Sequence, residues 1–300
     1  MDAKVLCVYP PTQLMDTEMA RVDGSLGLLY LAGALERVGV HVDVLDATVG
    51  TLDHTLEDTF YKRVKQENGL SRIGLSREGI AEVIARGGYN VILVSSLFTP
   101  QTRMALEVAA VAKSVSPDIL VVSGGVNARS LPERFFAGGV DVICTTEGEK
   151  VVVNLVRAFE AGAPLEVSGT MVQRAGKIVE YPVTPHDYYV NLDDLPMPAC
   201  YKLPFAHYDV ANSAGRGFLK APDRSSAMMT SRGCPFRCLY CHISREKAFT
   251  HESGDIGKLR LKSEERVMEE LRVLKSLGVM KVFFEDDSLL AKKERIKRIF

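Results

Sequence analysis

Three of the six cysteines fall within eight residues, in Ser231-Arg232-Gly233-Cys234-Pro235-Phe236-Arg237-Cys238-Leu239-Tyr240-Cys241, while Cys7, Cys144 and Cys200 are scattered. Six thiols in 300 residues are too few for a disulfide scaffold, and their clustering points to metal. The spacing C-x3-C-x2-C lets one loop wrap three corners of an iron–sulfur cube, with thiolates as ligands. Three protein ligands leave the fourth iron open, and an open coordination site is where a substrate or cosubstrate binds a metal. Gly233 lets the backbone pass close to such a cluster, and Pro235 stiffens the loop. The rival is a structural zinc site in which His242 or His251 completes a Cys3His tetrahedron. Zinc modules more often use paired C-x2-C knuckles, and the chain has no second pair, so Cys234, Cys238 and Cys241 read first as cluster ligands.

Other groups carry weaker chemistry. Glu285-Asp286-Asp287 ends an apolar run, and carboxylates there suit an ammonium partner. The same residues followed by Ser288 also make an ordinary helix start. Gly124-Gly125 after a strand allows close ligand approach or is simply a turn. Ser95 could bond a nucleotide tail or its own backbone. Glu147 and Glu149 could merely complement a helix amino terminus.

The elements that must hold these residues alternate strand and helix through the first 160 residues. Apolar runs predict strands over 4–9, 40–45, 90–94, 119–123 and 140–144. Helical spacing predicts helices over 26–38, 76–85 with Ser76 as cap, 102–115 and 149–161. Residues 51–75, where charges mix with apolar positions, read as a helical insertion. Five such units give a parallel sheet covered on both faces, a flavodoxin-like doubly wound α/β fold that binds ligands at the carboxyl ends of its strands. The loops at those ends begin at Pro10, Ser95, Gly124 and Thr145. Residues 165–225 read as a linker, with a hairpin over 170–181 turning at Ala175-Gly176. Pro182, Pro185, Pro196, Pro198, Pro204 and Pro222 then break any long element. A second βα series starts at 227–231, continues with helix 264–277 and strand 279–285, and reaches a helix beginning near Leu290. The expected domains are thus 1–164, the linker 165–225, and 226–300 as the start of a barrel. Two βα units cannot close a barrel, so the chain is expected to be a fragment or to have its remainder on another chain.

Composition bounds the function. With 46% hydrophobic and 25% charged residues, both units can bury real cores. A net charge of −1 leaves no overall basic field for a nucleic-acid backbone. The first ten residues lack the features of a signal peptide, and no apolar stretch nears the roughly 20 residues of a membrane helix. The expectation is a soluble, cytoplasmic protein with no nucleic-acid or membrane partner.

The cysteine loop, with aromatic Tyr240 before the third cysteine and a predicted strand before the first, resembles the radical SAM superfamily. The amino-terminal half resembles the cobalamin-binding domain of the class B members of that family. Gly27-Leu28-Leu29-Tyr30-Leu31-Ala32 matches the first-helix signature, Ser95-Ser96-Leu97 an S-x-L motif, and Gly124-Gly125 follows at the family's spacing. Thr146-Glu147-Gly148-Glu149 matches Gly-Glu-Gly-Glu with Thr for the first Gly, and Leu192-Asp193-Asp194-Leu195-Pro196-Met197-Pro198 matches the linker. The resemblance covers nearly all 300 residues.

That resemblance implies a [4Fe–4S] cluster on Cys234, Cys238 and Cys241 whose open iron chelates S-adenosylmethionine (SAM). One electron, from a donor such as flavodoxin or ferredoxin, then yields methionine and a 5′-deoxyadenosyl radical. It implies SAM contacts from Tyr240 and from Glu285, Asp286 and Asp287, acidic where the family often has Gly-Gly-Glu. It implies cobalamin against Ser95, Leu97, Gly124, Gly125, Glu147 and Gly148. The D-x-H-x-x-G motif of cobalamin-dependent mutases is missing: the loop reads Pro10-Pro11-Thr12-Gln13-Leu14, so that motif's histidine cannot ligate cobalt. His41 and His54 are expected at a strand edge and in the insertion. The implied reaction on a small-molecule substrate is methyl transfer to an unactivated carbon or phosphorus, with radical cyclisation or rearrangement as the rival. A zinc-stabilised binding module is the non-enzymatic alternative. Methylthiotransferases, also radical SAM proteins, carry additional clustered cysteines that Cys7 and Cys144 do not reproduce. No catalytic residue is identified by the sequence.

Overall fold

The computed structural model describes residues 2–22, 24–213 and 224–299. Strands β1 (Lys4–Tyr9), β2 (His41–Asp46), β3 (Val91–Ser95), β4 (Leu120–Gly124), β5 (Val142–Cys144), β6 (Thr170–Arg174) and β7 (Lys177–Tyr181) form one sheet in the order β7-β6-β5-β4-β3-β1-β2. The first five are parallel, and their order 2-1-3-4-5 is the flavodoxin-like one. All five residues of β3 are buried, as expected where helices cover both faces of a parallel sheet. Alternation along β1 divides the core. Leu6 and Val8 pack with Ile92, Val94 and Val121 under the helices Arg77–Gly87 and Thr102–Val115. Val5 and Cys7 pack with Leu93 and Val122 under Leu26–Arg37 and Gly148–Glu160.

The local signals act as expected at Ser76, whose Oγ accepts from Gly79 N at 3.1 Å to cap its helix. Three expectations are corrected. Residues 51–75 contain no α-helix. Strands Arg63–Lys65 and Ser71–Ile73 pair with each other, and Ser71–Ile73 pairs on its other side with Thr12–Leu14, just after β1, as a small antiparallel sheet. The turn uses Asn68-Gly69, with Gly69 at φ +81° and Gln66 N bonded to Leu70 O at 2.8 Å, a hairpin signal outweighing the mixed charge pattern. The hairpin over 170–181 does turn at Ala175-Gly176, but it is not a free connection. β6 runs antiparallel to β5 and extends the main sheet, pairing Val142 with Val172. Helix Phe205–Ser213 also occupies the proline-rich stretch, where none was expected, starting just after Pro204. Its Tyr208 is buried and donates to Asp46 Oδ2 at 2.7 Å. Pro222 and Phe300 lie outside the described residues.

The second series contains β8 (Ser225–Met228), β9 (Ser231–Arg232), β10 (Arg260–Leu261) and β11 (Lys281–Phe284). β8 and β11 are parallel and joined through helix Glu264–Ser276, capped by Ser263; β9 and β10 are antiparallel and bracket the cysteine loop. Gly33 packs so closely on the segment before Phe205 that a Cβ there would lie 2.1 Å from Met197 O. Among the described residues no helix is long and apolar enough to cross a membrane.

Candidate cofactor site

The cysteine loop is anchored at both ends. Gly233 adopts φ +75°, and a Cβ there would lie 2.3 Å from Lys258 O, so only glycine fits. Cys234 N donates to Gly257 O at 3.2 Å, and Cys241 N donates to Cys238 O at 3.1 Å. Lys247 Nζ donates to Cys234 O at 2.8 Å and also to Phe236 O. All three thiols are free; Cys238 is exposed and the other two are half-buried. Tyr240 is 93% exposed, so in this conformation it packs on nothing. Among the described residues no three or more His, Cys, Asp or Glu side chains stand together as a metal site. Neither the three thiols nor a Cys3His set is therefore gathered. The donor set itself, three unbridged thiols on one pinned loop, has the chemistry of a cluster with an open iron.

At the end of β11, Asp286 is already occupied. Its carboxylate accepts from Thr230 N at 3.0 and 3.1 Å, from Thr230 Oγ1 at 2.8 Å and from Ser231 Oγ. It ties β11 to the segment entering the cysteine loop. Arg295 braces the same joint through Thr230 O and Lys262 O, at 3.1 and 2.8 Å. Glu285 and Asp287 remain on the exposed side. Partial desolvation raises the Asp287 carboxyl, with Glu246 and Asp286 adding to it, against His242 and the Gly233 amide, which lower it.

The loops after β3 and β4 lie against each other. Ser95 and Ser96 are buried, Ser96 N donates to Gly124 O at 2.9 Å, and Ser96 Oγ accepts from Asn127 Nδ2 at 2.7 Å. Gly125, at φ +104°, sits where a Cβ would come within 2.3 Å of Ser96 O. Gly124 is less constrained: a Cβ would make an ordinary 3.6 Å contact with Cys144. Leu97 and Phe98 are left exposed, their amides held by Gln101 Oε1 at 2.9 and 3.3 Å. No histidine stands in the loop after β1. His41 opens the edge strand β2, and His54 bonds Thr51 in the 51–75 insertion.

The carboxyl end of the sheet faces the cysteine segment across a seam of charges that sequence reasoning missed. Arg232 donates to Glu147 Oε2 at 3.1 Å and to Glu149 Oε1 at 2.6 Å, and its guanidinium lies 5.0 Å from the Tyr30 ring centre. Arg260 grips both oxygens of Glu147. Arg129 pairs with Glu246, and Thr146 Oγ1 donates to Ser253 O at 2.7 Å. Burial would raise the Glu147 carboxyl, but Arg232 and Arg260 outweigh it and hold it below the usual carboxylate range. Glu147, expected on a cofactor, is thus committed to two guanidiniums. Gly148 is packed so that a Cβ would lie 2.9 Å from Leu31. Deeper in the seam, Lys262 Nζ donates to Tyr30 Oη and to Glu270 Oε2, both at 2.6 Å, and burial pulls its pKa down to about 8. Nothing local in the sequence marks Tyr30, Lys262 and Glu270 as partners.

Along this seam Thr145 Oγ1, Ser253 Oγ and Arg260 Nε are buried without a hydrogen-bond partner. Unsatisfied polar atoms at such a place fit a missing polar ligand. With apolar Leu97 and Phe98 exposed in the loop after β3, the residues suit a large cofactor having both polar and apolar faces.

Comparison with known proteins agrees with this geometry. Residues 23–156 match the B12 binding domain family. The chain is 28% identical over 298 residues to an uncharacterized methyltransferase of Pyrococcus horikoshii, covering 97% of this chain and 55% of that protein. It is 29% identical over 185 residues to the cobalamin-dependent radical SAM methyltransferase TokK of Streptomyces tokunonensis, covering 60% of this chain and 25% of that protein. In fold it is similar to the radical SAM methyltransferase TsrM from Kitasatospora setae, solved with cobalamin and a [4Fe–4S] cluster. There the TM-score is 0.64 at 17% identity, over 100% of this chain and 50% of that one. The chain thus spans about half the length of the full-span relatives it matches. With its 2-1-3-4-5 sheet and its three-cysteine loop, the chain is similar over nearly its whole length to a methyltransferase and over 60% of it to a cobalamin-dependent radical SAM methyltransferase, and residues 23–156 match the B12 binding domain.

Proposed function

We propose that this chain is the cobalamin-binding and cluster-binding part of a radical SAM enzyme that transfers a methyl group to an unactivated carbon or phosphorus of a small molecule. The observation that carries the reading is the placement of the anchored three-cysteine loop across a charged seam from the loop that ends β5, with Arg129, after β4, also reaching across to Glu246. Relatives named as methyltransferases support the reaction class.

Cys234, Cys238 and Cys241 would ligate three irons, drawn together from the pinned loop, and leave the fourth for SAM. When bound, the cluster supplies the electron that cleaves SAM, and cobalamin supplies the methyl group. The chain's own residues do the placing. Gly233 and Lys247 fix the amino-terminal part of the loop. Asp287 and Glu285, on the exposed side of β11, offer carboxylates to the ammonium of SAM, while Asp286 holds that strand end to Thr230 and Ser231. Tyr240 projects from the loop beside the cluster position. Ser95, Leu97, Gly124 and Gly125 form the floor for the cobalamin tail, with the Thr145 hydroxyl as an unused donor beside it. A flavodoxin or ferredoxin would deliver the electron.

Anaerobic reconstitution of the purified chain with iron and sulfide tests this. About four irons and four sulfides per chain, lost when all three cysteines are replaced by alanine, is the expected result. Zinc binding without sulfide, or iron and sulfide retained by the triple variant, would overturn it.

A further inference from the structure

We propose that Arg232 and Arg260 are positioning residues that fix the three-cysteine loop against the cobalamin-binding loops through Glu147 and Glu149, so that filling one site changes affinity at the other. The inference rests on the functional reading above but concerns residues to which that reading gives no such task. Arg232 and Arg260 are directly paired across β9 and β10, the two short strands that bracket the loop. Only Gly233 separates Arg232 from Cys234. On the other strand, the residues just before Arg260 receive the loop: Gly257 O accepts from Cys234 N, and Lys258 O lies where a Gly233 side chain would have to go. Both guanidiniums then converge on one carboxylate. Arg232 reaches Glu147 Oε2 at 3.1 Å, Arg260 reaches the same oxygen at 3.1 Å and also holds Oε1. Arg232 takes Glu149 as well, at 2.6 Å.

Glu147 and Glu149 flank Gly148 at the start of helix Gly148–Glu160 and follow Thr145, whose hydroxyl has no partner. A shift of the Thr145 loop on a ligand is therefore passed through planar, multiply bonded ion pairs to the residue two before Cys234. The side chains are 11% exposed at Arg232, 9% at Arg260, 13% at Glu147 and 4% at Glu149. Solvent thus has little access to relax the link. The two terminal nitrogens of Arg260 also donate to Tyr189 O and Ile256 O, which stiffens it further.

The test uses the full chain and hydroxocobalamin as probe. Its dissociation constant is measured on cluster-free protein and on protein reconstituted with iron and sulfide. In the wild type, cluster loading is expected to change the constant about tenfold, within the usual range of coupling between sites. In Glu147→Gln and Arg232→Gln the two constants should agree within about twofold, and Arg232→Lys, which keeps the charge, should restore part of the difference. A purely structural role would weaken both constants alike and leave their ratio intact. An unchanged ratio in the variants, or no ratio in the wild type, overturns the inference while leaving the functional reading in place. Failure of the wild type to take up sulfide or cobalamin at all overturns both, and is read directly from the chemical analysis.

Discussion

Lys262 Nζ lies 2.6 Å from Glu270 Oε2, with no solvent reaching the lysine side chain. The pair is completed by Tyr30, which donates to the same Glu270 oxygen at 3.2 Å, and by Arg266, which takes the other oxygen at 3.0 Å. A helix of the amino-terminal half thereby shares one charge cluster with the helix behind the cysteine loop.

Removing one member of that pair strands the other in the interior. Lys262→Met or Glu270→Gln is expected to cost about 3–5 kcal/mol, and replacing both by apolar residues much less. Urea unfolding of the two single variants and the double variant measures this.

The same lysine gives a pH signature. Burial, partly offset by Glu270, lowers its pKa from 10.5 to about 8. Between those values the unfolded chain binds the proton and the folded one does not, so stability rises with pH across that window. Below about 8 both states are protonated and the burial cost is fully present. The stability difference between wild type and Lys262→Met should therefore move in favour of the wild type from pH 8 to pH 10, by on the order of 1–3 kcal/mol. A flat difference would contradict the assignment.

Gly233→Ala should leave the sheet intact and abolish cluster uptake. The new Cβ meets Lys258 O inside van der Waals contact in a backbone conformation that alanine avoids. Far-UV circular dichroism close to wild type, with iron and sulfide below about a tenth of it, is the expected pair of results.

Asp286 and Asp287 should separate by function. Asp286→Ala leaves Thr230 N without its acceptor and should destabilise the chain by about 1.5–3 kcal/mol. Asp287→Asn should change stability little and weaken SAM binding to the reconstituted protein, read by calorimetry. Because the Asp287 carboxyl titrates above the ordinary carboxylate range, SAM affinity should begin to fall at a higher pH on acidification than for an ordinary aspartate.

The six thiols should also sort by reactivity. Burial pushes Cys7, Cys144 and Cys200 up to about 12, whereas Cys234, Cys238 and Cys241 are accessible on the loop. Iodoacetamide at pH 8 followed by mass spectrometry should find label on the loop cysteines alone in the native protein.

What could be read beforehand was whatever depends on near neighbours. Val91–Ser95 is an unbroken apolar run and became a central strand; Thr102–Val115 became the helix its spacing predicts. Asn68-Gly69 carried a hairpin signal that the mixed charges around it obscured. The hairpin 170–181 was legible as a hairpin, but not its seat on β5, because the Val142–Val172 pairing is set by shape far along the chain. Likewise Glu147 stood out as a residue, while its role did not. Its partner Arg260 is 113 positions away, and nothing in either local segment specifies the other. Asp286 was noticed for its charge, but not its three donors on Thr230 and Ser231, 56 and 55 positions back along the chain.

The seam also fixes an order of events during folding. Its contacts join residues 83, 113 and 232 positions apart, whereas β1 and β2 need only the intervening helix to pair. Long loops close late, so the amino-terminal sheet can consolidate on the ribosome before Lys262 has been synthesised. Until Arg232 docks on that finished surface, the three thiols stay on an untethered strand, open to whatever machinery delivers iron and sulfur.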